Sequence, residues 1–214
     1  MSRPLLLGHR GARRRKSIPE NTLASFDRAL ADGCDGFEFD VRLTADGQAV
    51  VCHDPKAGRL EVARTTAQQL PALPRLHDVL TRYKRVFLDI ELKVSGLEQI
   101  VIAALSECQP GRFVVSSFLP EVLTTLRAAD DTIPIGLICE TQTQVRLWNQ
   151  VSVEYVIAHR VLVDKDLIAE LQAAGKKVLV WTVNLPADMR RFAGYGIDGI
   201  ISDDTSLLCR TLTT

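Results

Sequence analysis

The chain repeats one unit, a short apolar run followed by a turn and then a helical pattern. In the first unit, Leu5 to Leu7 precede residues 21–32, where Leu23, Phe26 and Leu30 share one helical face. Regular alternation of strands and helices favours parallel strands, because a helix carries the chain back to the start of the next strand. Further candidate strands are 86–93, 113–118, 135–140, 155–159, 177–184 and 199–203. The helical patterns that follow them are 97–105, 121–127, 143–150, 166–174, 187–192 and a last one from 205.

One unit departs from this pattern, because two candidate strands, 37–42 and 49–53, are too close for a helix between them. The Asp46-Gly47 dipeptide between them is a hairpin turn signal. We interpret the pair as one strand with a hairpin excursion, followed by the helical pattern around 76–83. Eight units result, which predicts an α/β fold of the (β/α)8 TIM barrel type. The alternative is an open doubly wound sheet, whose Gly-rich dinucleotide-binding motif is absent from the sequence.

Composition limits the classes of function that the chain can have. The 214 residues are 46% hydrophobic and contain no linker, so we expect a single domain over residues 1–214. Lys and Arg total 26 and Asp and Glu also total 26, a balance that gives no support to a nucleic-acid surface. Apolar stretches are too short for a membrane span or a secretory signal, which predicts a cytoplasmic protein without stable membrane insertion. The five cysteines are scattered and odd in number, which favours reduced, buried thiols.

Polar side chains gather where the predicted strands end. Glu38 and Asp40 alternate with apolar residues and therefore leave the same face of their strand, and Glu91 and Lys93 do so on the strand at 86–93. In a TIM barrel the carboxyl ends of all strands meet at one mouth, where catalytic groups lie. Paired acids near a basic side chain can hold a hard divalent cation beside an anionic substrate. Other polar or aromatic residues at strand ends are His9, Arg10, His53, Asp54, Ser116, Ser117, Trp181 and Asn184.

An ordered set of short motifs extends over nearly the whole chain and resembles the glycerophosphodiester phosphodiesterase family. The motifs are His9-Arg10-Gly11, Pro19-Glu20-Asn21-Thr22, Glu38-Phe39-Asp40-Val41, the Asp46-Gly47 turn leading to His53-Asp54, Glu91-Leu92-Lys93, Ser117-Phe118 and Trp181-Thr182-Val183-Asn184. The resemblance implies a TIM barrel that uses a divalent metal ion, Mg or Ca, and acts on a small-molecule glycerophosphodiester.

The same resemblance assigns roles to individual positions of this chain. It implies that Glu38, Asp40 and Glu91 are the metal ligands. His9 and His53 would be the acid-base pair, with His9 as the base and His53 as the acid, and Arg10 and Lys93 would bind the phosphate.

Phosphodiester hydrolysis gives these roles a chemical reason. The reaction needs charge neutralised on the phosphate oxygens, a deprotonated nucleophile and a protonated leaving alcohol. Histidine titrates nearest neutrality, so two histidines from different strands can act as base and acid on opposite sides of phosphorus. The first nucleophile is either water or a glycerol hydroxyl of the substrate, the latter giving a cyclic phosphate.

Several residues also have simple structural interpretations. Asn21 is expected to cap the first helix, so Glu20 is left out of the site. Trp181 either packs in the barrel or forms the apolar wall of the pocket that binds the alcohol group of the substrate. His77 is expected on the surface and His159 in packing. The basic run 13–16 is either a solvated loop or a cluster that draws anionic substrates toward the mouth.

Substrate choice and assembly stay open at the level of sequence. The segment at about 55–75 is shorter than the insertion that caps the mouth in many family members, so the alcohol group of the substrate is undetermined. Alternatives are a lysophospholipase D-like hydrolase, a barrel that binds phosphodiesters without turnover, and a metal-dependent isomerase or lyase. The oligomeric state is unknown.

Overall fold

The computed structural model describes residues 3–213, and eight of its strands form a closed parallel barrel. The strands are β1 Leu5–His9, β2 Gly36–Leu43, β3 Ala49–Val51, β4 Lys56–Ala57, β5 Leu60–Glu61, β6 Phe87–Leu92, β7 Arg112–Ser117, β8 Ile135–Cys139, β9 Tyr155–His159, β10 Lys177–Trp181 and β11 Gly199–Ser202. Around the barrel the order is β1, β2, β6, β7, β8, β9, β10 and β11, and β11 pairs with β1. This closure confirms the TIM barrel and excludes the open sheet.

A helix connects each barrel strand to the next, and a last helix follows β11. The helices are α1 Leu23–Ala31, α2 Leu76–Arg82, α3 Glu98–Cys108, α4 Pro120–Ala129, α5 Gln142–Val145, α6 Lys165–Ala173, α7 Pro186–Gly194 and α8 Thr205–Leu212. The helix expected at 143–150 is only partly formed: α5 is one turn long and continues as a 3-10 helix over Arg146–Asn149. Of α5 only Val145 is buried, so no apolar face holds a longer helix against the barrel.

None of the helices within residues 3–213 has the length and apolar character needed to cross a membrane.

The start of α1 differs from the sequence prediction. Its cap is Thr22, whose Oγ1 accepts a hydrogen bond from the backbone N–H of Ser25. Asn21 is not the cap: its backbone is left-handed, with φ of 56°, and its side chain turns toward β2. The cap therefore lies one residue later than predicted, and Asn21 is available for another role.

The hairpin excursion after β2 is present. Strand β3 pairs antiparallel with the end of β2, and Gly47 takes the positive φ of 72° that the turn requires. Beyond it, β4 and β5 form a small second hairpin, which the sequence pattern did not indicate, and two 3-10 turns follow. Val62, Ala67 and Leu70 pack against Val50 as a small core, which holds this segment beside the mouth.

The barrel wall separates two apolar regions, because successive side chains of a strand point to opposite faces. Outside the barrel, Phe26 of α1 stacks on Phe37 of β2 with ring centroids 4.2 Å apart. Inside the barrel, the lower and middle levels are filled by Leu5, Leu7, Phe87, Val114, Ile138, Tyr155, Ile157, Leu179 and Ile201. Side chains of this kind stabilise a fold by roughly 1.5–3 kcal/mol each when fully buried. The filled interior still leaves room for a polar cavity at the carboxyl end of the barrel.

Candidate active site

A cavity of about 330 Å³ opens at the carboxyl end of the barrel. Its volume is in the range of small-molecule sites. Seven of the eight predicted site residues line it: His9, Arg10, Glu38, His53, Glu91, Lys93 and Trp181. The eighth, Asp40, is completely buried directly behind them. The other lining residues are Asp89, Phe118, Ile138, Glu140, Ile157 and Ile201.

Strand register brings three carboxylates together. In the β2–β6 pair Asp40 lies opposite Glu91, and in the β1–β2 pair Glu38 lies opposite His9. One oxygen from each of Glu38, Asp40 and Glu91 lies within 4.8 Å of the others, and all three residues are buried. We call these three residues the acidic triad. Its two strands are adjacent, so the short separation follows directly from the barrel order.

The carboxyl groups of the acidic triad are close together, buried and only partly hydrogen-bonded. Burial raises the pKa of Glu38 well above its usual range, and the charges of Asp40 and Glu91 raise it further. Burial and the charge of Asp40 also raise the pKa of Glu91 to about 7. Glu38 Oε1 and Asp40 Oδ1 are buried and accept no hydrogen bond. Buried carboxylate oxygens without partners are costly, and they are the ligands that Mg²⁺ and Ca²⁺ prefer, so the residues present fit a divalent cation.

Two basic side chains flank the acidic triad. Lys93 Nζ donates to Glu91 Oε1 at 2.6 Å and lies 3.4 Å from Asp40 Oδ1. Arg10 Nε lies 3.2 Å from Asp40 Oδ2. Burial favours a higher pKa of Asp40, but the charges of Arg10 and Lys93 outweigh it and hold that pKa below its usual range. An ionised Asp40 therefore has two cationic groups beside it.

Glu20 belongs to this arrangement, although the sequence reasoning left it out. Arg10 Nη1 donates to Glu20 Oε1 at 2.7 Å, and Arg13 Nε donates to Glu20 Oε2 at the same distance. Its carboxylate thus fixes the guanidinium of Arg10 at the mouth. In the sequence, a carboxylate next to Asn21 cannot be distinguished from an ordinary residue at the start of a helix.

His9 is oriented by a residue that was not among the predicted site residues. His9 Nδ1 lies 2.7 Å from Asp203 Oδ1, just beyond the end of β11. Asn184 Nδ2 donates to Asp203 Oδ2 at 2.7 Å. Burial favours a higher pKa of Asp203, but the hydrogen bonds with His9 and Asn184 and the charges of His9 and Arg13 together outweigh it and lower that pKa below its usual range. An ionised Asp203 accepts the proton of Nδ1, so the other ring nitrogen of His9 is left with its lone pair.

The turn after β1 places His9 and Arg10 in these positions. Arg10 and Gly11 both have positive φ, 52° and 79°. A Cβ at position 11 would lie 2.3 Å from Ser25 Oγ, so only glycine lets the turn pack on α1. Ser25 Oγ donates to the carbonyl of Arg10 at 2.8 Å and accepts from the N–H of Ala12 at 2.9 Å. The backbone N–H of Arg10 is thereby directed at Glu38 Oε2, 2.9 Å away.

Asn21 also has a role that the sequence did not reveal. Its Nδ2 donates to Asp40 Oδ2 at 2.7 Å, and its Oδ1 accepts from the backbone N–H of Asp40 at 3.3 Å. The two bonds fix the carboxylate of Asp40 in the acidic triad. Its position before Thr22 looked like a helix cap, and only the left-handed backbone distinguishes the two roles.

His53 enters the cavity from the segment that follows β3. Its Nδ1 lies 2.7 Å from Asp54 Oδ1, and its backbone carbonyl accepts a hydrogen bond from Arg42 Nε at 2.7 Å. The side chain is 33% exposed, against 10% for His9. The two histidines thus reach one cavity from different strands and with different access to solvent. His77, in contrast, is an exposed residue of α2 that pairs with Glu107.

Comparison with known proteins decides the family. A model of the Glycerophosphoryl diester phosphodiesterase family matches residues 9–82 and 80–207. The chain belongs to this family. A family relative from Caldanaerobacter subterraneus subsp. tengcongensis, named glycerophosphodiester phosphodiesterase, is 31% identical over 95% of this chain and 96% of its own length.

Solved structures agree with this glycerophosphoryl diester phosphodiesterase family assignment. A Silicibacter pomeroyi protein, provisionally named a glycerophosphoryl diester phosphodiesterase, superposes with a TM-score of 0.90. It is 26% identical, and the alignment covers 99% of this chain and 94% of that one. A phosphodiesterase of Oleispira antarctica, solved in complex with its product sn-glycerol-3-phosphate, has a TM-score of 0.83 and is also 26% identical, with 99% and 98% coverage.

Proposed function

We propose that this protein hydrolyses glycerophosphodiesters to glycerol 3-phosphate and an alcohol. The observation that carries the proposal is one cavity, lined by carboxylates, two basic side chains and two histidines, in a chain of the glycerophosphoryl diester phosphodiesterase family. Support comes from the phosphodiesterase of Oleispira antarctica, whose structure contains sn-glycerol-3-phosphate as its product. The combination suits an anionic substrate with a reacting centre that needs both proton removal and proton donation.

The acidic triad is the proposed site of a divalent cation, Mg²⁺ or Ca²⁺. Glu38, Asp40 and Glu91 would hold it, since one oxygen of each lies within 4.8 Å of the others. In addition, Glu38 Oε1 and Asp40 Oδ1 are buried without a hydrogen-bond partner. When bound, such an ion neutralises charge on the phosphate oxygens as the reaction proceeds. Arg10 and Lys93 add fixed positive charge beside the acidic triad and orient the phosphate.

His9 is the proposed general base. Its Nδ1 is engaged by Asp203, so Nε2 faces the cavity as the free acceptor, 3.8 Å from Glu38 Oε2. Burial lowers the pKa of His9, and this effect exceeds the opposing one of Asp203. A neutral imidazole near pH 7 can take the proton of water or of a substrate hydroxyl.

His53 is the proposed general acid. Its Nδ1 is oriented by Asp54, and its partly exposed ring lies where a departing alcohol can leave for solvent. Donation of a proton to the leaving oxygen prevents an unfavourable alkoxide from forming. His9 and His53 would then act on opposite sides of the phosphorus.

We further propose that residues 1–214 form one domain. The pairing of β11 with β1 supports this, because the last strand completes the wall that the first begins. The segment at 55–75, with only two short strands and two 3-10 turns, is the proposed short form of the mouth insertion.

The test is an assay of the purified protein with a panel of glycerophosphodiesters and one lysophospholipid, in Mg²⁺, in Ca²⁺ and in chelator, following the phosphorylated product. Release of glycerol 3-phosphate that requires metal is the expected result. Binding without release would instead support a non-catalytic barrel, and turnover of the lysophospholipid alone would support a lysophospholipase D-like hydrolase.

A further inference from the structure

The cavity has a second wall whose chemistry differs from that of the acidic triad. In the barrel order β8 lies across from β1, and β9 and β10 lie across from β2 and β6. The phosphate-binding groups are on the β1, β2 and β6 side. The wall formed by the ends of β7 to β10 is apolar and aromatic with a carboxylate at its rim, and it comprises Phe118, Ile138, Glu140, Ile157 and Trp181.

Aromatic rings form a corner in this wall. The rings of Phe118 and Trp181 have centroids 5.7 Å apart and an interplanar angle of 82°. Trp181 Nε1 donates to the carbonyl of Ile157 at 3.1 Å, which fixes the plane of the indole. His159 packs on Trp181 at 5.1 Å and 72°. An aromatic ring face that is open to a cavity attracts cations, and quaternary ammonium groups are bound in this manner.

Glu140 completes the wall at the end of β8. It is exposed, it lines the same cavity, and it raises the pKa of nearby His159 through its charge, although burial keeps that pKa below its usual range. Within residues 3–213 no basic side chain forms an ion pair with its carboxylate. Its backbone N–H donates to Gln144 Oε1 at 2.9 Å, which ties the residue to the capping box of α5. The backbone of Glu140 is therefore held at the mouth, and among the described residues its carboxylate has no basic partner.

The aromatic corner is continuous with the phosphate-binding side. Lys93 Nζ lies 5.6 Å from the centroid of the Phe118 ring. A phosphodiester held by Lys93 and Arg10 would therefore have one of its two alcohol groups beside Phe118 and Trp181, in the cavity that Glu140 also lines.

We propose that this wall binds a positively charged alcohol group of the substrate, a primary or quaternary ammonium. Glu140 would thereby set a preference for cationic over neutral glycerophosphodiesters. The inference rests on the proposed function and deepens it, because it concerns the second half of the same cavity. A carboxylate and an aromatic corner stabilise an ammonium group together, whereas a neutral polyol gains nothing from the charge of Glu140.

The experiment compares kcat/KM for glycerophosphocholine and glycerophosphoethanolamine with kcat/KM for glycerophosphoglycerol, at fixed pH and ionic strength. The variant is Glu140→Gln, which keeps the shape and removes the charge. The control is Glu170→Gln on the exposed face of α6, which removes the same charge elsewhere. We expect the ratio of cationic to neutral substrate to fall about fivefold in Glu140→Gln, the effect of losing one partly exposed ion pair, and to stay unchanged in Glu170→Gln.

Two results would overturn the inference and leave the proposed function in place. One is a wild-type protein that hydrolyses all three substrates equally well. The other is a fall in kcat/KM by the same factor for all three substrates in Glu140→Gln, which is the result expected if Glu140 binds the glycerol group that the substrates share.

Binding separates this inference from catalysis. Calorimetry of glycerophosphocholine with wild type and Glu140→Gln measures the charge effect even if no substrate is turned over. Weaker binding to Glu140→Gln supports the cationic wall, and equal binding to both proteins contradicts it. Absence of glycerol 3-phosphate from every substrate, with metal present, would instead contradict the proposed function.

Discussion

His9 Nδ1 lies 2.7 Å from Asp203 Oδ1, joining two residues that are 194 positions apart in the chain. They stand at the ends of β1 and β11, the strands whose pairing closes the barrel. The strand pairing that closes the barrel therefore also brings Asp203 next to His9 and orients the proposed base. An imidazole held in this way presents its second nitrogen to the cavity in a defined tautomer.

The first prediction concerns this contact. Asp203→Asn removes the charge that selects the Nδ1–H tautomer of His9, so we expect kcat to fall by roughly 10²–10⁴-fold with a much smaller change in KM. Steady-state kinetics checks this. The control is Asp204→Asn, since Asp204 caps α8 through the N–H of Leu207 and asparagine caps nearly as well. Equal turnover in wild type and Asp203→Asn would show that Asp203 does not position the base.

The second prediction concerns the acidic triad. Asp40→Asn leaves Asn21 and Lys93 in place but removes the central charge, so we expect loss of most divalent-cation affinity. Mg²⁺ or Ca²⁺ should raise the Tm of wild type and of the surface control Asp166→Asn, because an ion that binds only the folded state stabilises it. Thermal denaturation with and without chelator measures this. If metal raised the Tm of Asp40→Asn as much as that of wild type, the ion would have to bind elsewhere.

The third prediction is a pH effect on the metal-free protein. Asp89 is completely buried opposite Glu38 in the β2–β6 register, and burial raises its pKa to about 7. The folded protein therefore binds a proton that the unfolded chain has released above about pH 4, so stability is lost as pH rises from about 4 to about 7 and then levels off. Asp89→Asn, which can still accept the hydrogen bond of Ser116 Oγ, lacks this loss.

We accordingly expect Asp89→Asn to gain stability relative to wild type across that pH range, by up to about 4 kcal/mol. Urea denaturation of both proteins in chelator at several pH values gives the difference. A stability difference that does not change with pH would mean that Asp89 titrates normally.

The fourth prediction concerns the basic run at 13–16. All four residues are exposed; Arg13 pairs with Glu20, and Arg14 lies 3.4 Å from Asp204. If Arg15 and Lys16 attract anionic substrates, neutralising both should lower kcat/KM several-fold at an ionic strength of about 0.01 M. The same double substitution should have little effect near 1 M. Neutralising Lys84 and Arg85, exposed at the opposite end of the barrel, is the matched control. An effect of equal size at both salt concentrations would exclude steering.

The sequence predicted those parts of the fold and site that follow from local periodicity. Alternation along β2 was enough to place Glu38 and Asp40 on one face, and the repeated units were enough to indicate the barrel. Which strands are neighbours is a tertiary property, so the opposition of Asp40 and Glu91 became visible only with the register.

Two positioning residues were missed for a related reason. Asn21 before Thr22 and Asp203 before Asp204 have the residue types of helix caps. In both places the true cap is the next residue, and the missed side chain binds to Asp40 or His9 on a neighbouring strand. No local signal distinguishes these two uses of the same residue type.

The most direct test of the account is turnover by His9→Gln and His53→Gln with saturating Mg²⁺ or Ca²⁺, measured as release of glycerol 3-phosphate, alongside substrate affinity by calorimetry. The account predicts that each substitution lowers kcat by about 100-fold or more, while the dissociation constant of the substrate changes only a few-fold. Unchanged turnover in both variants would contradict it.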